Sequence, residues 1–350
     1  MDIRIRKIQE YLQNNALDAF LVLTRLNRQY LSGFTGSAGV LFIQKPINGH
    51  TTASDRSMPI HRQIALFVDD RYLIRARKES ELPVFSISEF ATSPQPSPIS
   101  EREPGGRVRL RIGIEDRITL RELKRLEKSL KARFIQTSDV VENFRAVKIA
   151  REIRMLEKCQ TIIDKVLTAV KSWTITKMTE IELAQRIERT GKKLGAGAMA
   201  FESIVAFGPN AAAPHHLSGS AKIGKNNFLL LDFGVKIGEY HSDFTRTLFI
   251  GSPNKKQERV YNIVLEAQMR GIREIREGVR AEKVDSAVRG FIAQAGFGKH
   301  FTHNTGHGVG LEIHELPNFS PTSEDILKSN MVATVEPGIY IENWGGVRIE

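Results

Sequence analysis

Two apolar runs each carry one carboxylate. Phe228 to Val235 (FLLLDFGV) reads as a strand with Asp232 inside it, and Tyr240 to Ile250 (YHSDFTRTLFI) reads as a second with Asp243. If the chain turns at Ile237-Gly238, the two aspartates face each other directly across a hairpin, their β-carbons roughly 5 Å apart on one face. Like charges so placed destabilise a sheet unless a cation lies between them, and divalent cations take carboxylate oxygens readily. The plainer alternative puts one aspartate in a turn facing water. It fits poorly with two acids inside apolar runs, where ionised carboxylates seldom go unpaired.

Three further residues extend the set. His307 lies in Thr305 to Glu315 (TGHGVGLEIHE), flanked by Gly306 and Gly308, which would let the backbone come close to a ligand. Gly306, Gly308 and Gly310 also form a Gly-x-Gly-x-Gly run, but the strand-loop-helix setting of a dinucleotide site is not evident. His314 fits a further ligand, a substrate contact or a surface histidine. Glu336 in Val332 to Tyr340 (VATVEPGIY) and Glu350 in Gly346 to Glu350 (GVRIE) repeat the strand-borne carboxylate, joined by a turn containing Gly345 and Gly346. Arg348 and Glu350, two apart, fall on the same side of a strand, a fixed cation beside a carboxylate. Each glutamate taken singly is more ordinary as a surface residue.

Taken together, four carboxylates and one imidazole without a thiolate suit Mn²⁺, Co²⁺, Fe²⁺ or Zn²⁺. Four negative charges balance two dications, and paired ions of this kind activate water near neutral pH. That is hydrolytic chemistry.

The elements that must position these residues follow from periodicity. The opening helix runs to about Asn15, an apolar strand covers Ala19 to Leu23, and Gly33 to Gly39 is glycine-punctuated. Val108 to Ile114 and Arg133 to Ile135 read as strands on either side of a basic helix. Pro46 to Arg62 and Thr92 to Arg107 read as inserted, exposed loops. A long helix runs from about Val147 to Ser172, and Thr179 with Glu182 has the spacing of a capping box opening another. That helix should fail near the glycines at 191, 195 and 197, with strands and hairpins dominating thereafter. The first domain is therefore expected over 1–148 and the second over 149–350.

The ordered set Asp232, Asp243, His307, Glu336 and Glu350, with its surroundings LDFG, SDFTRT, TGHGVGLEIHE, VEPGIY and GVRIE, resembles the superfamily of methionine aminopeptidase, prolidase and aminopeptidase P. Phe201 to His216 (FESIVAFGPNAAAPHH) and Tyr30 to Val40 (YLSGFTGSAGV) are most similar to its Xaa-Pro aminopeptidase branch. The resemblance implies an α/β (α+β) chain: a creatinase-like N-terminal α/β domain, then a pita-bread catalytic domain, assembled as a homodimer or higher oligomer. It implies that the five residues hold two divalent ions, Mn²⁺ first, with Asp243 and Glu350 as the bridging pair. Glu336 would also act as general base. His215 and His314 would contact substrate and stabilise the tetrahedral intermediate, with His216 the weaker match of its pair. Arg348 and Tyr340 would stand near the metals, Tyr340 beside the substrate. Family members continue beyond the last ligand, so a terminal Glu350 implies a truncated chain or a frayed ligand.

The expected activity is removal of the first residue from peptides with proline second. One alternative is a prolidase restricted to Xaa-Pro dipeptides, or a relative acting on a small non-peptide such as creatine. Another is a pita-bread protein that binds without catalysis. A tertiary amide has no N–H, so proteases that grip the scissile N–H handle it poorly.

Composition bounds the rest. With 350 residues, 41% hydrophobic and 26% charged, the chain has the make-up of a soluble two-domain protein. Its one cysteine, Cys159, excludes an intramolecular disulfide and fits a reducing cytoplasm. Met1 to Glu10 lacks the apolar core of an export signal, and no run approaches the roughly 20 residues that span a bilayer. The formal charge of +11 gathers in the first 150 residues, with 25 Lys and Arg against 17 Asp and Glu. Much of it lies in Arg121, Lys124, Arg125, Lys128, Lys131 and Arg133, interleaved with leucines at helical spacing, which reads as a solvated helix face. No aromatic stacking pattern accompanies it, so a nucleic-acid partner is not expected.

Overall fold

The computed structural model describes residues 2–46, 63–90 and 110–350. The two stretches read as inserted loops lie, apart from Pro46, outside the described residues. The chain forms two compact units, Met1–Phe144 and Arg145–Glu350.

In the first unit a six-stranded sheet runs in the order Val84–Ser86, Ile64–Val68, Gly39–Gln44, Ala19–Val22, Leu110–Glu115, Ala132–Thr137. Gly39–Gln44 is antiparallel to both neighbours and the other pairs are parallel. The central strands are apolar on both faces, as a covered sheet requires; Phe20, Leu21, Phe42, Phe67 and Ile112 are all buried. At the end of its strand, Glu115 accepts hydrogen bonds from Leu23 N, Thr24 N and Asn27 Nδ2. It thereby serves the start of helix Arg25–Ser32. The basic helix spans Leu120–Ser129 and buries only Leu126, leaving its charged face in water.

The second unit is built around the strand Asn227–Asp232, which pairs antiparallel with Ile204–Phe207 on one side and Thr245–Ile250 on the other. Its uninterrupted apolar run has a simple cause. Leu229 and Leu231 pack on helices Ala150–Ser172 and Glu180–Lys193, while Phe228 on the opposite face packs on Val260, Val264 and Val288. Asp232 keeps the parity of Phe228 and Leu230 and shares their face. The expected capping box opens the second of those helices: Thr179 accepts from Glu182 N and Thr179 N donates to the Glu182 carboxylate. Two hairpins complete the unit, Gly306–Gly308 with Glu315–Phe319 and Gly338–Ile341 with Gly345–Arg348. Among the described residues, no helix is long and apolar enough to cross a membrane.

Several sequence expectations are corrected. Strands do not dominate past residue 197, because helices Lys255–Glu274 and Ala281–Gln294 lie there. Asp232 is not directly opposite Asp243. Its partner is Thr245, since the hairpin turns on Gly238 and Glu239, with Gly238 at φ +58 as the first turn residue. The register persists through Phe233 N donating to Phe244 O and Ser242 N donating to Val235 O, and so sets Asp243 across from Gly234. The two aspartates are diagonal neighbours on one face. The turn between the last two strands is Glu342 to Trp344, and Gly345 and Gly346 belong to the strand that follows.

Gly234 makes this hairpin possible. A β-carbon there would lie 2.0 Å from Ser242 O and 2.9 Å from the Ala200 methyl. Gly234→Ala is therefore expected to destabilise the protein by about 1–3 kcal/mol. Urea denaturation of the purified variant reads this out, and unchanged stability would mean that the strands separate freely there.

Candidate metal centre

His307 and Glu336 meet because their chain segments run side by side. Thr334 N donates to His307 O (2.8 Å), His307 N to Thr334 Oγ1 (3.1 Å), and Glu336 N to Thr305 O (2.8 Å). The flanking glycines serve this packing, not the approach of a ligand. A β-carbon on Gly306 would lie 2.1 Å from Thr334 O, and one on Gly308 the same distance from Leu316 O.

His307 Nδ1 lies 3.0 Å from Gly308 O, a carbonyl that can only accept, so this nitrogen carries the proton. Nε2 then faces the acids, 3.1 Å from Glu336 Oε1 and 3.5 Å from Asp243 Oδ2. One ligand atom from each of Asp243, His307 and Glu336 lies within 4.8 Å of the others. Thr334 Oγ1 donates to the same Glu336 Oε1 at 2.9 Å and so fixes the carboxylate against His307.

Asp232 gives Oδ2 to the Arg348 guanidinium. The expected neighbour of Arg348 on its strand, Glu350, is not its hydrogen-bond partner. Arg348 also donates to Thr245 Oγ1 (3.1 Å), Tyr340 OH (2.8 Å) and Pro214 O (3.3 Å). Two oxygens, Asp232 Oδ1 and Glu350 Oε2, are buried without a hydrogen-bond partner among the described residues. Stranding acceptors in this way is costly, and a divalent cation is the partner their chemistry fits.

The acids perturb one another. Burial, then the charges of Asp232 and Glu336, pushes Asp243 up to about 7. Burial and the charges of Asp243, Glu336 and Asp232 hold Glu350 well above the ordinary carboxylate range. Burial would raise Glu336 too, but the bond and charge of His307 bring it below its usual value. Burial works against a charged His307, and the two carboxylates outweigh it to raise this imidazole. His314 packs edge-on against His307, ring centres 4.2 Å apart, and burial followed by the charge on His307 lowers its pKa.

Asp232, Asp243, His215, His307, His314, Glu336 and Arg348 line one cavity of about 410 Å³. Glu350 borders a second hollow of about 450 Å³, which Asp243 also lines. Tyr340 is buried behind the cavity and does not line it. His216 turns away, with Nε2 2.8 Å from the buried Glu180.

A histidine of the cavity escaped the sequence reading. His303 Nδ1 lies 2.7 Å from Asn304 O and its Nε2 lies 2.8 Å from Tyr340 OH. The carbonyl fixes the proton on Nδ1, so Nε2 accepts from Tyr340, which accepts in turn from Arg348. Burial holds His303 below the usual histidine range, in keeping with a neutral ring. Its spacing four residues before His307 was the available signal.

The profile of Metallopeptidase family M24 matches residues 154–350, and that of the Creatinase/Prolidase N-terminal domain matches residues 4–147. The chain belongs to metallopeptidase family M24. Its M24 domain is the pita-bread fold, preceded by the creatinase-like domain. An Xaa-Pro dipeptidase of Pyrococcus horikoshii is 34% identical over 352 residues, covering 100% of this chain and 93% of its own. Among solved structures, an Xaa-Pro dipeptidase from Bacillus anthracis has a TM-score of 0.85 at 33% identity, with 99% and 92% of the two chains covered. An X-Pro aminopeptidase from Thermotoga maritima has a TM-score of 0.77 at 31% identity, with 95% and 91% covered. Membership of M24 makes this chain a metallopeptidase, and the Asp243, His307 and Glu336 group is a place where it can hold a metal.

The crowded acids give the metal-free protein a definite pH dependence. Asp243 binds its proton more tightly folded than unfolded between its ordinary 3.8 and about 7, so unfolding becomes easier as pH rises through that window. The raised His307 has the same sign above 6.5, whereas the lowered Glu336 opposes below 4.5 and the lowered His241, His303 and His314 oppose below 6.5. Thermal unfolding of metal-free protein is therefore expected to show falling stability from about pH 6.5 to about pH 8, with saturating Mn²⁺ reversing the trend and Asp243→Asn flattening it. Parallel curves with and without metal would contradict the assignment.

Proposed function

We propose that this chain hydrolyses the bond preceding proline in Xaa-Pro dipeptides, as a metal-dependent exopeptidase. The observation that carries the hydrolytic part is the half-buried group of Asp243, His307 and Glu336, with stranded oxygens of Asp232 and Glu350. The sequence pointed first to an aminopeptidase acting on longer peptides, with the dipeptidase as its alternative. The alternative is now the better supported, because the Pyrococcus relative and the Bacillus structure are both Xaa-Pro dipeptidases. The Thermotoga structure keeps the aminopeptidase as the second reading. A binding protein without catalysis would have no use for stranded acids around a histidine.

Two divalent ions, Mn²⁺ before Co²⁺, Zn²⁺ or Fe²⁺, held by Asp232, Asp243, His307, Glu336 and Glu350, would polarise the scissile carbonyl and lower the pKa of the attacking water. Glu336 would take the proton of the attacking water, its lowered pKa keeping the carboxylate ionised and so free to accept. His215 and His314 donate to the oxygen on which charge develops. The low pKa of His314 keeps it neutral, so it offers one N–H without bringing a charge. Arg348 acts by holding Asp232, and Tyr340 by joining Arg348 to His303. Phe201, Ile204, Pro214 and Ile313 supply apolar walls suited to a pyrrolidine ring. The family resemblance supports a homodimer, and the single cysteine, buried Cys159, supports a reducing, cytoplasmic setting.

Metal-loaded protein is expected to cleave an Xaa-Pro dipeptide with kcat/KM at least about tenfold above that for an Xaa-Pro-Xaa tripeptide. The opposite ranking would restore the aminopeptidase, and hydrolysis of neither would remove the activity altogether. Glu336→Gln should lower kcat by about 10²-fold to 10⁴-fold on the better substrate. Retention of near-native turnover would show that the proton goes elsewhere.

A further inference from the structure

His215 is exposed, so packing does little to aim it. Its direction must come from its backbone, in the loop that follows the short 3₁₀ turn Gly208–Ala212. What fixes that backbone is one fully buried carboxylate, Glu180.

Glu180 is the first residue of helix Glu180–Lys193. Its Oε1 accepts from Phe207 N (2.8 Å) and Asn210 Nδ2 (2.9 Å), and its Oε2 meets His216 Nε2 (2.8 Å) and Gly219 N (3.3 Å). All four partners belong to the single stretch 207–219, which carries Pro214 and His215 to the cavity. The far end is closed by Ile181 N donating to Gly219 O and Glu180 N donating to Ala221 O, both 3.0 Å. On the cavity side, Pro214 O accepts from Arg348. A helix N-terminus favours a carboxylate by itself. That preference does not require both oxygens to be occupied by partners lying 27 to 39 residues ahead.

We propose that Glu180, acting through His216 and the backbone of this loop, is the positioning residue for His215. A carboxylate is needed because its neighbours are donors. In Glu180→Gln the new amide nitrogen confronts His216 Nε2 and Gly219 N; the imidazole can turn acceptor by changing tautomer, whereas the backbone N–H cannot. Such a protein keeps its core and loosens the loop beside His215. The inference rests on the proposed peptidase activity.

The test is a double-mutant cycle. Glu180→Gln is made in the native chain and in His215→Ala, with kcat and KM measured on the better of the two peptides and bound metal measured by mass spectrometry. The expected result is a fall in kcat of about tenfold in the native background and less than about twofold in His215→Ala, with KM and metal content unchanged. An equal loss in both backgrounds, or loss of bound metal, would overturn the proposal, because Glu180 would then act on the unit as a whole or through Arg348 and Asp232. If Glu180→Gln fails to fold, His216→Leu, at a partly exposed ring, takes its place under the same criteria. Native protein inactive on both peptides would refute the proposed function and this inference with it; active native protein with an additive cycle refutes this inference alone.

Discussion

The second unit depends on confining several carboxylates where few cations can reach them. Asp232, Asp243, Glu336 and Glu350 act on one another's charge, and His307 and Arg348 counter them. Arg348 is committed to Asp232, and His307 stands between Asp243 and Glu336. The sum leaves Asp243 near neutrality in its titration and strands two buried oxygens. Doubly charged ions resolve this arrangement in a way protons cannot, because a proton neutralises one oxygen while a dication takes oxygens from several acids together.

Holding the acids together requires backbones closer than side chains allow. Gly234 lets Ser242 O pass beneath it, Gly306 admits Thr334 O, and Gly346 admits Ala211 O. Each close approach brings a segment bearing one of the acids or His307 against a neighbour, so the glycines around these side chains are part of how they converge. Tyr340 and Arg348 add a second layer. Pairing Gly338 with Arg348 and Tyr340 with Gly346 carries the phenol and the guanidinium on one hairpin, and their mutual hydrogen bond sets the side chain that grips Asp232.

Much of this was legible because it rests on patterns that survive small errors. Phe228 to Leu231 reads as a strand because both faces are buried, which requires four apolar residues in succession. The register did not read correctly, since Gly238 can sit first or second in a two-residue turn. Moving it from second to first shifts the pairing by two residues, which preserves the face, so Asp232 and Asp243 still converge despite the wrong partner. The helix Lys255–Glu274 went unread although Asn254 and Gln257 form its capping box and Val260, Val264, Ala267 and Gly271 mark its buried side. Strand-borne motifs on either side outweighed that local signal. His303 is harder to see. Its role exists only once Tyr340, 37 residues on, is folded against it.

Two kinds of positioning therefore meet in one cavity. Asp232, Asp243, His307 and Glu336 are held from within: Asp232 is tied to Arg348, and His307 stands between Asp243 and Glu336, so displacement of one changes the charge around the others. The imidazoles face the cavity with less around them. His314 leans on His307, and its direction follows from the ring beside it. His215 has exposure on its outer side, and its direction follows from Glu180 and the loop that carboxylate gathers. Such a division suits the chemistry asked of each group. In the proposed reaction, metal-holding groups must stay fixed whether or not peptide is present, whereas a donor to developing charge must admit substrate and still return to one direction, which a rigid backbone under a free side chain provides.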